Sequence, residues 1–439
     1  MFYLFLLLFS FYRFFSLNSA VYGVELIKSI PDKQNKSINT HDNLPKKHYN
    51  ISEIIALAKN NSLNIKSAQS FSLAQQDFSS QEKYWQNPAI GFEFNNQSSG
   101  RQSGSGSSNG NNVTISQNLP FFSKLQKKYQ IADVDFKILA TQSNNLALLV
   151  EVEVFSLLFQ HYGILQKIEL AQKRLKRLNN VSKYLASINL NSPTKITQAN
   201  IVYDKINLIN RELIMLQSDL FNIWQQINNF VDLPQDAVVK MEWPKDKINF
   251  NFDGISNLAI ENNFTLKLQK QKLDKINKEI AFAKIENMPD LTASVKDSAG
   301  NISYGMSINL PIVNRNQSRI LGLEKQFKAQ DQLYQFEKNR IFNQIKTNLY
   351  QYHNLQRTNK ILPVSMLNNI VSRLSLADQD FKKGTLDFIT YVELDSREYE
   401  VVDAIIDNQI ALMDNYGKIS ISLGEFNLPI GQSINHSIK

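Results

Sequence analysis

The chain has 439 residues, of which 43% are hydrophobic and 20% are charged, and it has no cysteine. This composition allows a folded core, argues against a disordered chain, and excludes disulfides and thiolate zinc sites. The formal charge of +8 would suit a nucleic-acid partner, but Lys alternates with Asp and Glu along the helical segments. We interpret these charges, including the short basic run Lys173–Arg177, as solvated helix faces and expect no nucleic-acid partner.

The N-terminal segment is a short apolar run followed by small residues. The run ends at Tyr12 and is too short to span a bilayer, so we predict a secretory signal peptide over residues 1–23. Residues 24–50 are rich in Asn and Lys and are interpreted as a polar N-terminal leader. The mature chain is therefore expected to be exported.

The first predicted helix begins at Asn50, which has a glutamate three residues later in capping-box spacing, and runs unbroken to about Gln86. Apolar and polar residues then alternate at Ala89–Gln97 and again at Val113–Leu119, which indicates two β-strands. The Ser- and Gly-rich tract between them is typical of a flexible loop. This part of the chain is therefore predicted to be a helix followed by a hairpin.

A long helix without proline is predicted from about Phe122 to Ile188. Ser192 and Pro193 break the pattern, with Ser192 as N-cap and Pro193 at the first helical position of the next helix. That next helix has apolar residues in a/d spacing over four heptads, which predicts packing along a partner as a coiled coil. The apolar seam consists of Val202, Ile206, Ile209, Leu213, Leu216, Leu220, Ile223, Ile227 and Phe230.

The plan then repeats, because LAKNNSLNIKSAQ from Leu57 matches LAIENNFTLKLQK from Leu258, an offset of 201 residues. The elements predicted for the second half are strands Leu291–Asp297 and Asn301–Leu310, a long helix from Asn314 to Lys383 interrupted at Pro363, and a last helix to Ile421. We predict a tandem duplication. Its units are a first repeat 51–230 with hairpin 89–119, a connector 231–254, a second repeat 255–421 with hairpin 290–310, and a C-terminal tail 422–439.

The four alternating runs have about the length that a tilted transmembrane strand requires. Their apolar residues point one way and their small or polar residues the other, which suits a barrel with lipid outside and water inside. Solvent-facing hairpins on a helical domain are the alternative, but they would leave apolar faces exposed. Because four strands cannot close a barrel, several chains must share one, and a twelve-stranded barrel from three chains is the smallest with room for a lumen.

Both predicted hairpins end at a Leu-Pro pair, Leu119-Pro120 in the first repeat and Leu310-Pro311 in the second. Proline cannot extend a strand ladder, so we predict that the strand leaves the membrane at each pair and turns into the helix. Basic side chains follow each pair and are expected near lipid headgroups. They are Lys124, Lys127, Lys128, Arg315 and Arg319.

In these features the sequence resembles the TolC-like outer-membrane efflux family over Ile51–Gly424. The features that carry the resemblance are the two LA-x-x-N-[NS] helix starts with their following prolines at Asn87-Pro88 and Met288-Pro289, the two strand-LP-helix junctions, and FKKGTLDFITYVEL at Phe381–Leu394. The resemblance implies a mainly α fold with a β-barrel part. Three copies would share a twelve-stranded barrel in the outer membrane of a Gram-negative bacterium, and their antiparallel coiled-coil helices would form a tunnel in the periplasm.

The resemblance also implies a passive conduit for drugs, metal ions or proteins, docked to an inner-membrane pump through a periplasmic adaptor protein, with the connector in an equatorial region. Within the family, LPIVNRNQSR at Leu310–Arg319 is most similar to the heavy-metal efflux subgroup, although Val313 stands where an aromatic residue is common. The lipidated cysteine of several members is absent, and no His or Met cluster indicates metal handling.

The long helical patterns break at Asn189–Thr194 and at Lys383–Phe388, which predicts two helix tips where a tunnel would close. The turn residues there are Ser192, Pro193, Gly384 and Thr385. The resemblance places acidic gate residues shortly after the glycine, and the matching positions are Thr390, which is not acidic, and Glu393, with Asp387 and Asp395 close enough to substitute. Our gate candidates are therefore Asp387, Glu393 and Asp395, and ordinary solvated helix charges are the alternative.

Two other functions compete with a conduit. A periplasmic coiled-coil scaffold without channel activity would account for the helices but not for the apolar strands. An enzyme would need paired carboxylates, a Ser-His-Asp set or a phosphate-binding glycine loop, and none of these patterns occurs. The GxSxG match at Gly106–Gly110 lies in low-complexity sequence, and the five histidines are scattered. We therefore predict no enzyme activity and no catalytic, cofactor or metal site.

Overall fold

The computed structural model describes the chain from residue 47 to residue 429 with eight internal gaps, some of a single residue. The described residues are 47–94, 111–120, 122–187, 192–234, 237–244, 250, 252–298, 300–310 and 315–429. The predicted signal peptide at 1–23 lies outside them, as does the predicted leader at 24–50 apart from its last four residues.

The first half of the chain has the predicted order of helix, hairpin, long helix and helix. Its elements are β1 (His48–Asn50), α1 (Ile51–Asn61), α2 (Leu63–Gln81), β2 (Ala89–Glu93), β3 (Asn112–Leu119), α3 (Phe122–Ser187) and α4 (Pro193–Asn228). The Asn50 backbone N–H donates to the Glu53 carboxylate at 2.9 Å, the contact that the capping-box spacing predicts at the start of α1.

The second half repeats this order with one difference in its long helix. Its elements are β4 (Val238–Lys240), α5 (Phe252–Asn262), α6 (Phe264–Glu286), β5 (Leu291–Ser298), β6 (Asn301–Ile308), α7 (Gln317–Ile361), α8 (Met366–Lys383) and α9 (Phe388–Leu423). The predicted interruption at Pro363 separates α7 from α8, because proline has no N–H to donate and disfavours a helical residue before it.

The single helix predicted from Asn50 to about Gln86 is wrong, because the structure breaks it at Ser62 and ends it at Gln81. Ser62 has φ −55° and ψ 120°, outside the helical region. The second repeat breaks at the same place, where Asn263 has φ −58° and ψ 123°. The two positions are 201 residues apart, so the break belongs to the duplicated unit and supports the tandem duplication.

Asn263 is the polar residue that joins the start of α6 to the end of α9. Its carboxamide oxygen accepts from the backbone N–H groups of Thr265 at 2.9 Å and Leu266 at 3.2 Å. Its amide nitrogen donates to the Ser422 carbonyl at 2.9 Å. One buried side chain therefore satisfies donors at one helix start and a carbonyl at another helix end.

The main core surrounds the middle of α3. Phe155 and Phe159 are fully buried, with ring centroids 4.9 Å apart, and Phe159 stacks on Trp243 at 5.6 Å. By length and composition, Ser123–Ser187 is apolar enough to cross a membrane, but 56% of its most apolar window is buried within the chain. Its apolar length is consistent with its place at the centre of the core.

The connector between the two repeats packs against the residues that precede the first repeat. Within it, β4 pairs in parallel with β1, and His48 aligns with Val238. Trp243, just after β4, inserts into the core and donates to the Gln166 side chain at 2.9 Å. The residues that precede the first repeat and those that join the two repeats therefore lie side by side.

The predicted apolar seam of α4 faces α3, which is its packing partner. Val202, Ile209 and Ile227 are buried, and the opposite side of the helix exposes large apolar side chains. Those exposed side chains are Tyr203, Leu208, Ile214, Met215 and Phe221. One face of α4 is thus used within the chain, and the other is left for contacts outside it.

The role of Asn263 can be tested against Ser62, the residue at the equivalent helix break in the first repeat. Asn263→Ala removes the helix cap and the bond to Ser422, so we expect the free energy of unfolding to fall by about 1–2 kcal/mol. Ser62→Ala, at the equivalent position where the side chain makes no cap hydrogen bond, should change it by less than about 0.5 kcal/mol. Chemical denaturation followed by circular dichroism measures both, and equal losses in the two variants would contradict the assignment.

Candidate functional site: the two-faced sheet and the helix tips

The two predicted hairpins join into one antiparallel sheet. The strand order is β2-β3-β5-β6, so the central pair β3–β5 connects the first repeat to the second. In that pair Asn112 aligns with Ser298 and Leu119 with Leu291, and the register has no slip over the eight residues of each strand. Among the described residues, β2 and β6 are the edges of this sheet.

The register puts nearly all of the large apolar side chains of the sheet on one face. Paired positions such as Phe92 with Val113 and Val295 with Tyr304 lie side by side there. The face consists of Ile90, Phe92, Val113, Ile115, Gln117, Leu119, Leu291, Ala293, Val295, Asp297, Ile302, Tyr304, Met306 and Ile308. Tyr304 and Met306 are 82% and 80% exposed, so the chain itself leaves this face largely uncovered. Exposed apolar patches of this kind mark interaction with a membrane or another protein.

The opposite face carries small and polar side chains. It consists of Ala89, Gly91, Glu93, Asn112, Thr114, Ser116, Asn118, Thr292, Ser294, Lys296, Ser298, Asn301, Ser303, Gly305 and Ser307. Glu93 accepts from Asn112 Nδ2 at 3.1 Å and from Lys296 Nζ at 3.0 Å. These two charged residues are the only ones on this face among the described strand positions.

The predicted strand-to-helix junctions are partly within the described residues. Leu119 is the last residue of β3, and Pro120 follows it directly. In the second repeat β6 ends at Ile308, two residues before the predicted end at Leu310, and Pro311 lies outside the described residues.

One basic residue near these junctions does not have the predicted environment. Lys124 was expected near lipid headgroups, but its side chain is buried and donates to the Met288 carbonyl at 2.5 Å and to Asp290 at 2.7 Å. The contact joins the start of α3 to the residues before β5. Lys124 therefore connects the two repeats, and sequence alone could not separate it from exposed lysines nearby.

The two helix tips lie far from the sheet along the chain. Ser192 and Pro193 begin α4 as predicted, with Ser192 extended at φ −102° and Pro193 in the first turn, while residues 188–191 lie outside the described part of the chain. Gly384 ends α8 with φ 75°, the left-handed conformation that glycine adopts most easily. Thr385 then bonds back to the Asp380 carbonyl through both its backbone N–H, at 3.0 Å, and its hydroxyl, at 2.9 Å.

Two gate candidates are exposed near the second tip. Asp387 is the N-cap of α9 and accepts from the Thr390 backbone N–H at 3.0 Å and from its hydroxyl at 2.5 Å. The bond from the Thr390 hydroxyl, with backbone N–H bonds, lowers the pKa of the Asp387 carboxyl. The cap is therefore present above the ordinary carboxyl pKa and is lost as the pH falls through the lowered value. Glu393 pairs with Arg397 one turn later at 2.5 Å.

The third candidate, Asp395, is completely buried and differs from the other two. Arg174 donates to it through Nε at 3.0 Å and Nη2 at 2.7 Å, and Arg177 donates to its other oxygen. Arg177 also reaches Asp378 at 3.0 Å, and the Tyr391 hydroxyl donates to the same Asp378 oxygen at 2.8 Å. These five residues, here called the tip cluster, join α3, α8 and α9.

Burial shifts the pKa values of two residues of the tip cluster, Tyr391 and Arg174. It raises the pKa of the Tyr391 hydroxyl, so this residue stays a neutral donor. Burial also lowers the pKa of Arg174, but an arginine stays charged at physiological pH. The Arg174 guanidinium lies 4.3 Å from the centre of the Tyr399 ring, which adds a cation–π contact.

The tip cluster corrects the interpretation of the basic run Lys173–Arg177. We predicted solvated helix faces, but Arg174 and Arg177 point into the chain, while Lys173 is exposed and pairs with Glu169. The spacing of three residues, which puts two arginines on one helix face, was the signal that could have indicated an inward pair. No pattern in the sequence linked that face to Asp395.

Asp395→Asn is expected to lower the free energy of unfolding by about 3–5 kcal/mol, because it removes the buried carboxylate that two largely buried guanidinium groups share. Arg177 would keep its pair with Asp378, but Arg174 would lose its carboxylate partner. Glu393→Gln is the matched control, since it neutralises an exposed carboxylate two residues away and should leave the unfolding midpoint nearly unchanged. Denaturant titrations of both variants compare the two roles. A similar midpoint for Asp395→Asn and wild type would mean that the tip cluster does not hold these helices together.

No family model and no curated protein matches the sequence, but the fold matches solved structures over most of the chain. The outer-membrane channel MtrE of Neisseria gonorrhoeae is 15% identical, covers 85% of this chain and 89% of its own, and gives a TM-score of 0.70. VceC of Vibrio cholerae, an outer-membrane protein, is 13% identical with coverages of 85% and 96% and a TM-score of 0.67. CusC, described as forming a transmembrane channel, is 14% identical with coverages of 86% and 92% and a TM-score of 0.70. The chain therefore has the fold of outer-membrane channel proteins.

Proposed function

We propose that the chain is one subunit of a trimeric outer-membrane channel. The observation that carries this proposal is the two-faced sheet, which has an exposed apolar side, a polar side and two edges that no other described strand pairs with. In lipid the apolar side would face hydrocarbon, and the polar side would line a water-filled pore. The fold shared with channel proteins supports the same conclusion.

These two edges support assembly from several copies. Inside hydrocarbon an unpaired backbone N–H or C=O costs several kcal/mol, so a sheet with open edges is not stable there. If β6 of one copy pairs with β2 of the next, three copies close a barrel of twelve strands. Four strands from a single chain are too few, since membrane barrels have at least about eight.

The helices would continue this pore on the periplasmic side as a tunnel. We propose a passive conduit of a tripartite efflux or type I secretion system, with an inner-membrane pump and a periplasmic adaptor protein as partners. LPIVNRNQSR is similar to heavy-metal efflux proteins, and the described residues contain no group of three or more His, Asp or Glu side chains that could hold a metal ion. The cargo class therefore stays open between drugs, metal ions and proteins.

The alternative scaffold function accounts for the helix pairs but not for the sheet. A protein in aqueous periplasm would expose Phe92, Tyr304 and Met306 to water on one continuous surface. Such a surface favours membrane insertion or association with other chains. The conduit function uses both faces of the sheet, and we prefer it for that reason.

The assembly can be tested by cross-linking, because the chain has no cysteine of its own. We expect Phe92→Cys on β2, combined with a cysteine on β6, to form disulfides between copies in the outer-membrane fraction. The β6 positions to scan are Ile302, Tyr304, Met306 and Ile308. Oxidised samples should show dimers and trimers but no larger species on a denaturing gel.

Phe92→Cys alone is the control and should give no trimer. Light scattering of the detergent-purified wild type should give the mass of three chains. A chain recovered in the soluble periplasm, or no cross-link at any scanned position, would contradict the shared barrel.

The gate role of the exposed tip carboxylates stays a proposal with its own test. We expect Asp387→Asn combined with Glu393→Gln to raise conductance in planar bilayers and to weaken block by multivalent cations. Asparagine is also a good N-cap, so the start of α9 should be preserved. Glu324→Gln with Asp331→Asn removes two exposed carboxylates from α7 nearer the sheet and should change neither quantity. Unchanged conductance and block in the tip variant would remove both residues from the gate.

A further inference from the structure

We propose that Glu93 and Lys296 form a charge-balanced ring at the outer mouth of the pore, which keeps the channel weakly selective between anions and cations. The inference rests on the proposed channel function, since it assigns a role to the face that would line the pore.

The geometry puts the pair on the pore side of the sheet. Glu93 lies on β2 and Lys296 on β5, and their side chains meet across β3, with Nζ and Oε2 3.0 Å apart. Asn112 on β3, which is buried, donates to the same Oε2 atom at 3.1 Å and fixes the carboxylate between the two strands. Both charged side chains keep contact with solvent, at 59% exposure for Glu93 and 39% for Lys296.

The pair lies at the end of the sheet away from the helices. Glu93 is the last residue of β2, and Asn112, its aligned partner, is the first of β3. Lys296 aligns with Thr114, two residues further along β3, while the helices are reached only after Leu119. In a membrane channel this end of the sheet faces the exterior.

Among the described strand positions of the polar face, this pair carries all of the charge. The other described strand positions on it are Ala, Gly, Ser, Thr and Asn, which carry no charge. In a trimer, three carboxylates and three ammonium groups would therefore surround the mouth and cancel. A ring of unpaired carboxylates selects cations and a ring of unpaired ammonium groups selects anions, so neither selection is expected while the pairs are intact.

Neutralising Lys296 and neutralising Glu93 should shift the K⁺ over Cl⁻ permeability ratio in opposite directions. A merely structural ion pair would not produce this difference in sign. Lys296→Met leaves three uncompensated carboxylates and should raise the K⁺ over Cl⁻ permeability ratio by roughly twofold to fivefold. Glu93→Gln leaves three uncompensated ammonium groups and should lower the ratio by a similar factor. Reversal potentials in planar bilayers under a KCl gradient measure both. Exposed ion pairs add little to stability, so both variants should assemble.

Two further variants complete the test. Exchanging the pair by Glu93→Lys with Lys296→Glu restores the balance and should return the ratio to that of the wild type. Lys278→Met removes a lysine that is paired with Asp274 on α6 and should leave the ratio unchanged. If the wild type forms channels but neither single variant changes the K⁺ over Cl⁻ permeability ratio, this inference alone is overturned. The same holds if both single variants shift the ratio in the same direction. A wild-type chain that forms no channels would overturn the proposed function, and this inference with it.

Discussion

The outer edges of β2 and β6 are the constraint on which the interpretation of the whole chain depends. Each edge carries backbone N–H and C=O groups that no other described strand of the chain meets. Water could satisfy these groups, but the apolar face beside them is better accommodated in lipid, where water is absent. Only further strands can give the edges hydrogen-bond partners while the apolar face lies in lipid.

The exposed apolar side chains on the outer faces of the helices also fit assembly from several copies, since neighbouring copies would cover them. They include Phe71, Phe78, Leu208, Ile214, Phe221, Leu333, Phe336 and Tyr350.

The two halves of the chain are similar units, and the differences between them show which contacts hold the chain together. Both units break their first helix at the same position, but only Asn263 in the second caps the new helix and bonds to the end of α9. The first long helix is continuous over 66 residues, whereas Pro363 divides the second. Lys124 and Asp290 then connect one unit to the other beneath the sheet. Of these contacts, the Lys124–Asp290 ion pair joins the two units, while the Asn263–Ser422 bond lies within the second half of the chain.

Periodicity predicted most of the fold, because it reports directly which face of a strand or helix is buried. Alternation in Ile302–Ile308 and the heptads of α4 each identified an element and its apolar face. The break at Ser62 was missed, since serine is not a strong helix breaker and the helical pattern continues past it. Burial of individual charges was missed for a different reason. Asp387 and Asp395 look alike in sequence, and only the packing of α3 against α9 buries the second of them.

The placement of charge at the second tip limits how a gate there could work. Asp395 is fully engaged within one chain, so it is not available to a neighbouring chain unless the tip cluster opens. Asp387 and Glu393 are exposed, and their interactions with another chain or a passing cation would be screened within about 8–10 Å at physiological salt. The link between α3 and α9 is shielded from that screening by its burial. A gate built from Asp387 and Glu393 would therefore respond to ionic strength. The buried ion pairs between α3 and α9 would stay intact over the same range of salt.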